Sequence, residues 1–305
     1  MVDKVERIWL DGEFVGFDDG RIHLHTHSLH YGLGAFEGIR AYKRTNGTHI
    51  FRLSDHIDRL MGSCKLALLT PRFTREQIMQ ACVETLRVNH LVEGYLRPLV
   101  FIGEGAMGVY APDNPIRTAI MVWKWGAYLG EEALKKGIRC KISSFARHHI
   151  NVSLAKGKIM GQYTNSVLAK REAKFGGYDE AVMLDANGYV SEGSGENIFL
   201  VKKGKILTPD LSSSILEGVT RDSIITLARE EGIPVVEGRV TRDQLWLADE
   251  VFFTGTAAEV TPVREVDDRA IGDGTVGPVT KRLQARFFDV VRGNDSSHPE
   301  WLTKV

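Results

Sequence analysis

Ala155-Lys-Gly-Lys-Ile-Met-Gly-Gln-Tyr163 sets two lysines, two glycines and a tyrosine immediately before an apolar pattern that predicts a helix over 162–175. The chain has sixteen lysines, and most of them must be solvated, so context rather than residue type singles one out. A lysine amine is useful as a Schiff-base former only where it is fixed near a carbonyl and partly desolvated. The glycine-containing bend and the following helix start offer such a setting. Lys156 and Lys158 would share one face of an extended stretch, so spacing does not separate them.

Downstream, Asn187-Gly-Tyr-Val-Ser-Glu-Gly-Ser-Gly-Glu-Asn-Ile-Phe199 opens on an Asn-Gly turn signal and places Glu192 among glycines that allow close backbone approach. A carboxylate in that setting suits a pyridinium nitrogen, because a protonated ring can take up electrons from a carbanion. Glu196 is the rival carboxylate, and a solvated hairpin is the bland alternative. Glu217-Gly-Val-Thr-Arg-Asp222 begins an apolar-periodic helix, and a helix N-terminus with a threonine hydroxyl is suited to an anion. Thr254-Gly-Thr-Ala-Ala258 follows a strand pattern with small residues whose N–H groups can face an anion. Either stretch alone is equally a cap or a turn.

The flanking sequence supplies two α/β lobes. A helix is expected from Ser54 as N-cap through Ile57, Leu60, Cys64 and Leu68, stopping before Pro71. A second starts at Thr74, where Gln77 completes a capping-box pattern. Strands are expected at 96–102, 118–125, 181–184, 198–201, 235–236 and 251–253, and further helices near 220–231 and 279–292. The reading gives a small N-terminal domain at 1–125, a connection at 126–136 and a larger domain at 137–305.

With 305 residues, 43% hydrophobic and 26% charged, the chain can bury a sizeable core. Lys+Arg and Asp+Glu both total 39, so no net field recruits nucleic acid or an anionic membrane, and any anion must be held by local groups. No apolar run approaches a membrane span or a signal core, and a cytoplasmic location is expected. Cys64, Cys82 and Cys140 are too scattered for a disulfide framework or a zinc-thiolate site and read as small buried hydrophobes. His23, His25 and His27 would share one strand face and invite a metal. No acidic or cysteine partner lies nearby, so a strand leading to a loop at Tyr31 is the expectation, with no metal.

Taken together, the Lys158-x-x-Gly-x-Tyr163 run, Ser191-Glu-Gly-Ser-Gly-Glu-Asn197, Gly218-Val-Thr-Arg221 and Thr254-Gly-Thr-Ala-Ala-Glu-Val-Thr-Pro-Val263 resemble the class IV aminotransferases, specifically the bacterial branched-chain group. His30-Tyr-Gly-Leu-Gly-Ala-Phe-Glu-Gly-Ile-Arg-Ala-Tyr42 and Tyr95-Leu-Arg-Pro98 extend the resemblance over nearly the whole chain. Ile159-Met160 and Ser194 stand where many members carry smaller residues. The implied fold is the two-domain α/β (α+β) type of D-amino-acid aminotransferase, with a small N-terminal α/β lobe and a larger pseudo-barrel lobe.

The resemblance implies pyridoxal 5′-phosphate as cofactor, with Lys158 as its covalent partner and proton shuttle. It implies Glu192 at the pyridine nitrogen, Tyr163 at the phenolic oxygen, and Arg59, Val219, Thr220 and Thr256 around the phosphate. Lys156 and Glu196 are thereby demoted. Thr256 and Ala257 would meet the substrate's α-carboxylate. Phe36, Gly38, Tyr95, Trp125 and Tyr128 would wall the side-chain pocket, with Tyr31 and Val109 from the other subunit of a homodimer, which is often part of a hexamer. Arg97, with Tyr31 and Tyr128, would hold the second carboxylate of 2-oxoglutarate. The implied reaction is transamination of leucine, isoleucine and valine with 2-oxoglutarate. D-Amino acid aminotransferase and aminodeoxychorismate lyase, which share the lysine and the glutamate, are the alternatives, as is a phosphate-ligand binding module that has lost its chemistry.

Overall fold

The computed structural model describes residues 4–126 and 129–305. Two compact units emerge, and neither is a single stretch of chain. The first comprises Met1–Gly126, Gly157–Tyr163 and Val291–Val305, and the second Ala127–Lys156 and Thr164–Val290. Residues 157–163 and 291–305, which the sequence pattern grouped with the large domain, thus pack with the N-terminal unit.

The first unit is built on an eight-stranded sheet. Its centre is the antiparallel pair Gly94–Ile102 and Ile116–Trp123, in register from Tyr95 opposite Trp123 to Ile102 opposite Ile116. Helix α1 (His27–Tyr31) precedes the short strand Gly34–Phe36. Helices α2 (Leu53–Leu66) and α3 (Arg75–Val88) cover the core. In α3, Ile78, Cys82 and Leu86 are fully buried, and Thr74 with Gln77 forms the expected reciprocal cap. The start of α2 differs from expectation. Its N-cap is Arg52, in the left-handed region at φ 51°, and Ser54 instead accepts a hydrogen bond from Arg75 at 2.5 Å. Tertiary contacts hold this strained cap: the Arg52 N–H donates to the Trp301 carbonyl at 2.6 Å, while its guanidinium grips Asp55. Trp301 leads into the last strand, Leu302–Lys304, which pairs with Gly47–Phe51.

A strand through His23, His25 and His27 is not formed. His23 and His25 precede or occupy a turn, and His27 begins α1, so the three do not share a strand face. The His27 ring instead reaches the Gly108 carbonyl at 2.7 Å through Nε2.

The second unit carries a nine-stranded sheet. Strand Glu259–Val266 pairs with Glu250–Gly255, which pairs with Asn197–Lys202. Parallel pairing joins Ile138–Ile142 to both Glu259–Val266 and Glu180–Leu184. Val190, on one edge strand, bridges to Val240, three residues beyond the opposite edge strand Val235–Glu237. The sheet therefore almost closes on itself, which leaves few free edge groups. Around it lie α4 (Glu131–Lys136), α5 (Tyr163–Phe175), α6 (Val219–Glu230), α7 (Arg242–Trp246) and α8 (Pro278–Arg292), with α5 beginning and α8 ending in residues of the first unit. Its interior includes Phe199 and Phe252, stacked with ring centroids 5.0 Å apart. Each such fully buried side chain contributes roughly 1.5–3 kcal/mol.

The three cysteines are free and buried, and burial pushes the Cys64 thiol up to about 12, so it stays a hydrophobe rather than a nucleophile. Among the described residues no helix is long and apolar enough to cross a membrane.

Candidate active site

In the first unit the chemistry collects along α2, which shows two adjacent stripes. Leu53, Ile57, Leu60 and Cys64 recur at helical spacing and are buried in the apolar core. His56, Arg59 and Ser63 recur beside them, a buried or nearly buried polar stripe. Its first partner is Glu37, a fully buried carboxylate on the segment between Phe36 and Gly38. Arg59 donates to Glu37 through Nε at 2.6 Å and Nη2 at 2.8 Å, and His56 Nδ1 lies 2.8 Å from Glu37 Oε2. Burial alone would raise the Glu37 pKa, but the Arg59 charge, with the hydrogen bonds from His56 and Arg59, outweighs it and holds the carboxyl well below its ordinary range. Burial also lowers the His56 pKa against the pull of Glu37. A neutral imidazole that donates from Nδ1 fits this, because Nε2 is buried with no partner among the described residues.

Lys158 lies against the same helix. Its N–H donates to Ser63 Oγ at 2.9 Å and its carbonyl accepts from Phe36 N–H at 3.1 Å. The side chain is thereby aimed away from the backbone pairing, and Nζ reaches Tyr163 Oη at 2.6 Å, 5.0 Å from the centre of the Phe36 ring. Lys156 has a different task. Its ammonium bonds to the Leu211 and Ile215 carbonyls at 2.6 and 3.1 Å, so it staples a loop of the second unit. The two amines, which spacing did not separate, thus differ in what they touch.

Around Lys158 stands an aromatic wall. Tyr95 packs on Trp123 and Trp125 with centroids 5.2 and 4.5 Å away. The Arg97 guanidinium sits over Phe36 at 4.8 Å and Tyr95 at 5.6 Å, and its buried Nε has no hydrogen-bond partner among the described residues. Gly38 is obligatory here, since a Cβ would fall 1.7 Å from Tyr95 Oη. Tyr31 and Val109 are exposed, Tyr31 with Leu29 on α1 and Leu24 just before it, Val109 with Met107 and Tyr110 on the loop that the His27–Gly108 contact joins to α1. Tyr128 falls outside the described residues.

In the second unit Glu192 is nearly buried and held on both oxygens. Arg147 Nη2 lies 2.8 Å from Oε1, while Leu216 N–H and Asn197 Nδ2 reach Oε2 at 3.0 and 3.2 Å. Such a set favours the ionised carboxylate. Asn197 also donates to the Leu216 carbonyl at 2.9 Å and lies so close to Gly218 that a Cβ there would fall 2.0 Å from Oδ1. Gly218 is the N-cap of α6, so Val219 and Thr220 open this helix within reach of the asparagine that holds Glu192. Asn197 pairs in register with Thr254, which leads into the turn at Thr256 and Ala257. Thr254 Oγ1 is buried with no partner among the described residues.

Glu196 points to a different cluster. Ser194 Oγ donates to Glu180 at 2.7 Å and Lys170 bonds to the same carboxylate. Burial, then the nearby Glu180 charge, pushes Glu196 up to about 8. The folded chain thus keeps a proton that the unfolded chain releases above about 4.5, so this group makes stability fall as pH rises toward 8. Glu196→Gln is expected to flatten that slope and to raise the unfolding free energy at pH 8, measured by urea denaturation from pH 5 to 9.

Each unit by itself carries groups suited to a phosphorylated pyridine: the first an amine beside a phenol and a guanidinium, the second a fixed carboxylate and a glycine-started helix end. Sequence reasoning overlooked Glu37, His56, Ser63, Arg147 and Asn197. Only Glu37 carried a signal, as a charged residue enclosed between two pocket residues.

The profile of the family described as amino-transferase class IV matches residues 34–266. A branched-chain-amino-acid aminotransferase of Pseudomonas aeruginosa is 51% identical over 305 residues, covering 100% of this chain and 99% of that protein. The crystal structure of the Escherichia coli branched-chain amino acid aminotransferase superposes with a TM-score of 0.97 at 44% identity, covering 99% of each chain. The crystal structure of the branched-chain amino acid aminotransferase from Thermobaculum terrenum in PLP-form (holo-form) gives a TM-score of 0.92 at 34% identity, covering 98% of each chain.

Proposed function

The chain belongs to the class IV aminotransferases, and on that premise we propose that it exchanges amino groups between branched-chain L-amino acids and 2-oxoglutarate, with pyridoxal 5′-phosphate as cofactor. The observation that carries the substrate class is the ring of Phe36. It lies 5.0 Å from the Lys158 amine and 4.8 Å from the Arg97 guanidinium. An aliphatic side chain gains from burial against that ring. The second carboxylate of 2-oxoglutarate is taken by the Arg97 fork, which has an unpartnered buried Nε. One pocket so equipped accepts both members of the exchange.

When bound, pyridoxal 5′-phosphate supplies a carbonyl for amine exchange and a protonated ring that takes up an electron pair. Lys158 would hold it covalently through Nζ, and the same amine, when free, would take the substrate's α-proton and return it. Tyr163 orients Nζ and presents its hydroxyl to the phenolic oxygen. Glu192, held by Arg147, Asn197 and Leu216, would serve the ring nitrogen. Arg59 with Val219, Thr220 and Thr256 holds the phosphate, and Thr256 with Ala257 holds the substrate's α-carboxylate. Tyr95, Gly38 and Trp125 complete the wall, with Tyr128 from the connection. Alternating use of the two substrates gives ping-pong kinetics.

The exposed apolar residues Leu24, Leu29, Tyr31, Met107, Val109 and Tyr110 support a homodimer in which Tyr31 and Val109 serve the neighbouring site. A cytoplasmic location goes with this exchange between small soluble substrates.

Incubating the protein and cofactor with 2-oxoglutarate and either L-leucine or D-alanine tests the reading directly. L-Glutamate formed from L-leucine alone is the expected result; D-glutamate formed from D-alanine would replace it with the D-amino acid reaction.

A further inference from the structure

Ser63 bonds to the main chain of two residues at once. Its hydroxyl donates to the Arg59 carbonyl one turn earlier at 2.8 Å and accepts the Lys158 N–H at 2.9 Å. A serine that bonds back along its own helix is common. Here, however, the hydroxyl has a single hydrogen, and giving it to Arg59 fixes the rotor and leaves a lone pair for the lysine. The side chain is 1% exposed, so water does not substitute for it. On its other side Lys158 is paired to Phe36 N–H, and Ile159 bridges to Ala35. Farther along, Gly161 N–H donates to the Gly32 carbonyl at 2.8 Å. The segment 157–163 is thus tied along its length, and its tie to α2 at the lysine itself is the Ser63 hydroxyl.

We propose that Ser63 is a positioning residue, whose hydroxyl fixes the Lys158 backbone relative to Arg59 and so sets the separation between the covalent and phosphate anchors of one cofactor. This rests on the cofactor reading above. The α2 backbone is rigid over one turn, so a bridge from residue 63 to both 59 and 158 transmits the phosphate anchor's position to the lysine. Without the hydroxyl, the Lys158 N–H becomes a buried donor with no acceptor, which is costly enough that the peptide shifts to find one. A displacement of the lysine by a fraction of an ångström to about one ångström lowers rates tenfold to about a hundredfold without removing any reacting group. Alanine is the best helix former, so Ser63→Ala leaves α2 intact. Ser63→Thr restores a hydroxyl able to bond back to the same carbonyl.

The test uses the full-length protein freed of cofactor and titrated with pyridoxal 5′-phosphate. Wild type develops the visible absorbance of lysine-linked cofactor. Ser63→Ala is expected to develop it about tenfold more slowly and to turn over L-leucine about tenfold more slowly, with KM changed less than twofold. Ser63→Thr recovers most of both. In a Lys158→Ala background, Ser63→Ala should change the affinity for pyridoxal 5′-phosphate less than twofold, because its effect runs through the lysine. Wild-type linkage and turnover in Ser63→Ala would overturn the proposal. An equal loss of cofactor affinity with and without Lys158 would also overturn it, by showing a general disturbance of the fold. Failure of the wild-type chain to develop the absorbance overturns instead the cofactor reading on which the proposal rests.

Discussion

Lys158→Ala is expected to lower turnover with L-leucine and 2-oxoglutarate by at least about ten-thousandfold while leaving the protein folded. The magnitude follows from removing the covalent partner and the proton carrier in one step, as losses of a reacting group in a concerted set generally show. The fold survives because the Lys158 main chain, not its amine, makes the bonds to Ser63 and Phe36. The variant should still bind pyridoxal 5′-phosphate without the visible absorbance of lysine linkage, since Arg59, Glu192 and the α6 N-terminus are untouched. Lys156→Ala is the control. Its ammonium serves the Leu211 and Ile215 carbonyls, so its loss should lower thermal stability and leave the absorbance in place. Full turnover in Lys158→Ala, or loss of the absorbance only in Lys156→Ala, would move the reaction to the other lysine.

Glu37→Ala should destabilise the protein by about 3–5 kcal/mol, because removing one partner of a buried ion pair leaves the other charge uncompensated. The stranded groups are Arg59, with side-chain exposure of 13%, and His56, with 1%. Glu37 also predicts how stability responds to acid. Its folded pKa is depressed below the ordinary value of 4.5, so the unfolded chain takes up a proton first as pH falls. The stabilisation is full above about 4.5 and declines below it as pH drops toward the folded pKa. Urea unfolding at pH 7, 5, 4 and 3 measures this. Glu37→Gln should lose less of its remaining stability between pH 5 and 3 than the parent does; an unchanged acid slope would show that other carboxylates set it.

The contrast between Lys158 and Glu37 shows what a sequence reveals here. Period and caps located α2, α3, α5, α6 and α8, because an apolar stripe at helical spacing is written in residue type. The same stripe hid the second one. His56, Arg59 and Ser63 occupy the next face of α2, where polar residues usually meet water, and only the fold shows that they meet Glu37 and Lys158 instead. The Arg52 cap was missed for a similar reason: a left-handed arginine is held by Trp301, which lies far along the chain. Arg147 sits beside His148 and His149, where charged residues ordinarily meet water, yet it is buried against Glu192. His23, His25 and His27 alternate as strand residues do, but a turn and α1 bend the chain and undo the shared face. Local pattern thus gave the elements and the resemblance named the reacting groups. The buried partners that hold those groups belong to distant segments and could not be read from either.

Residues 157–163 and 291–305 belong to the unit that begins the chain, and one of its edge strands, Leu302–Lys304, is made well over a hundred residues after Gly126. During synthesis at roughly 5–20 residues per second, the ribosome spends about ten to forty seconds between Gly126 and Val305. Throughout that interval the nascent first unit lacks the strand that holds Arg52 at the head of α2, and at the beginning of it also the segment bearing Lys158. A truncated message, or a stalled ribosome, therefore yields a chain with an open sheet edge beside Gly47–Phe51, a target for quality control. The first unit is complete only after the second has been made.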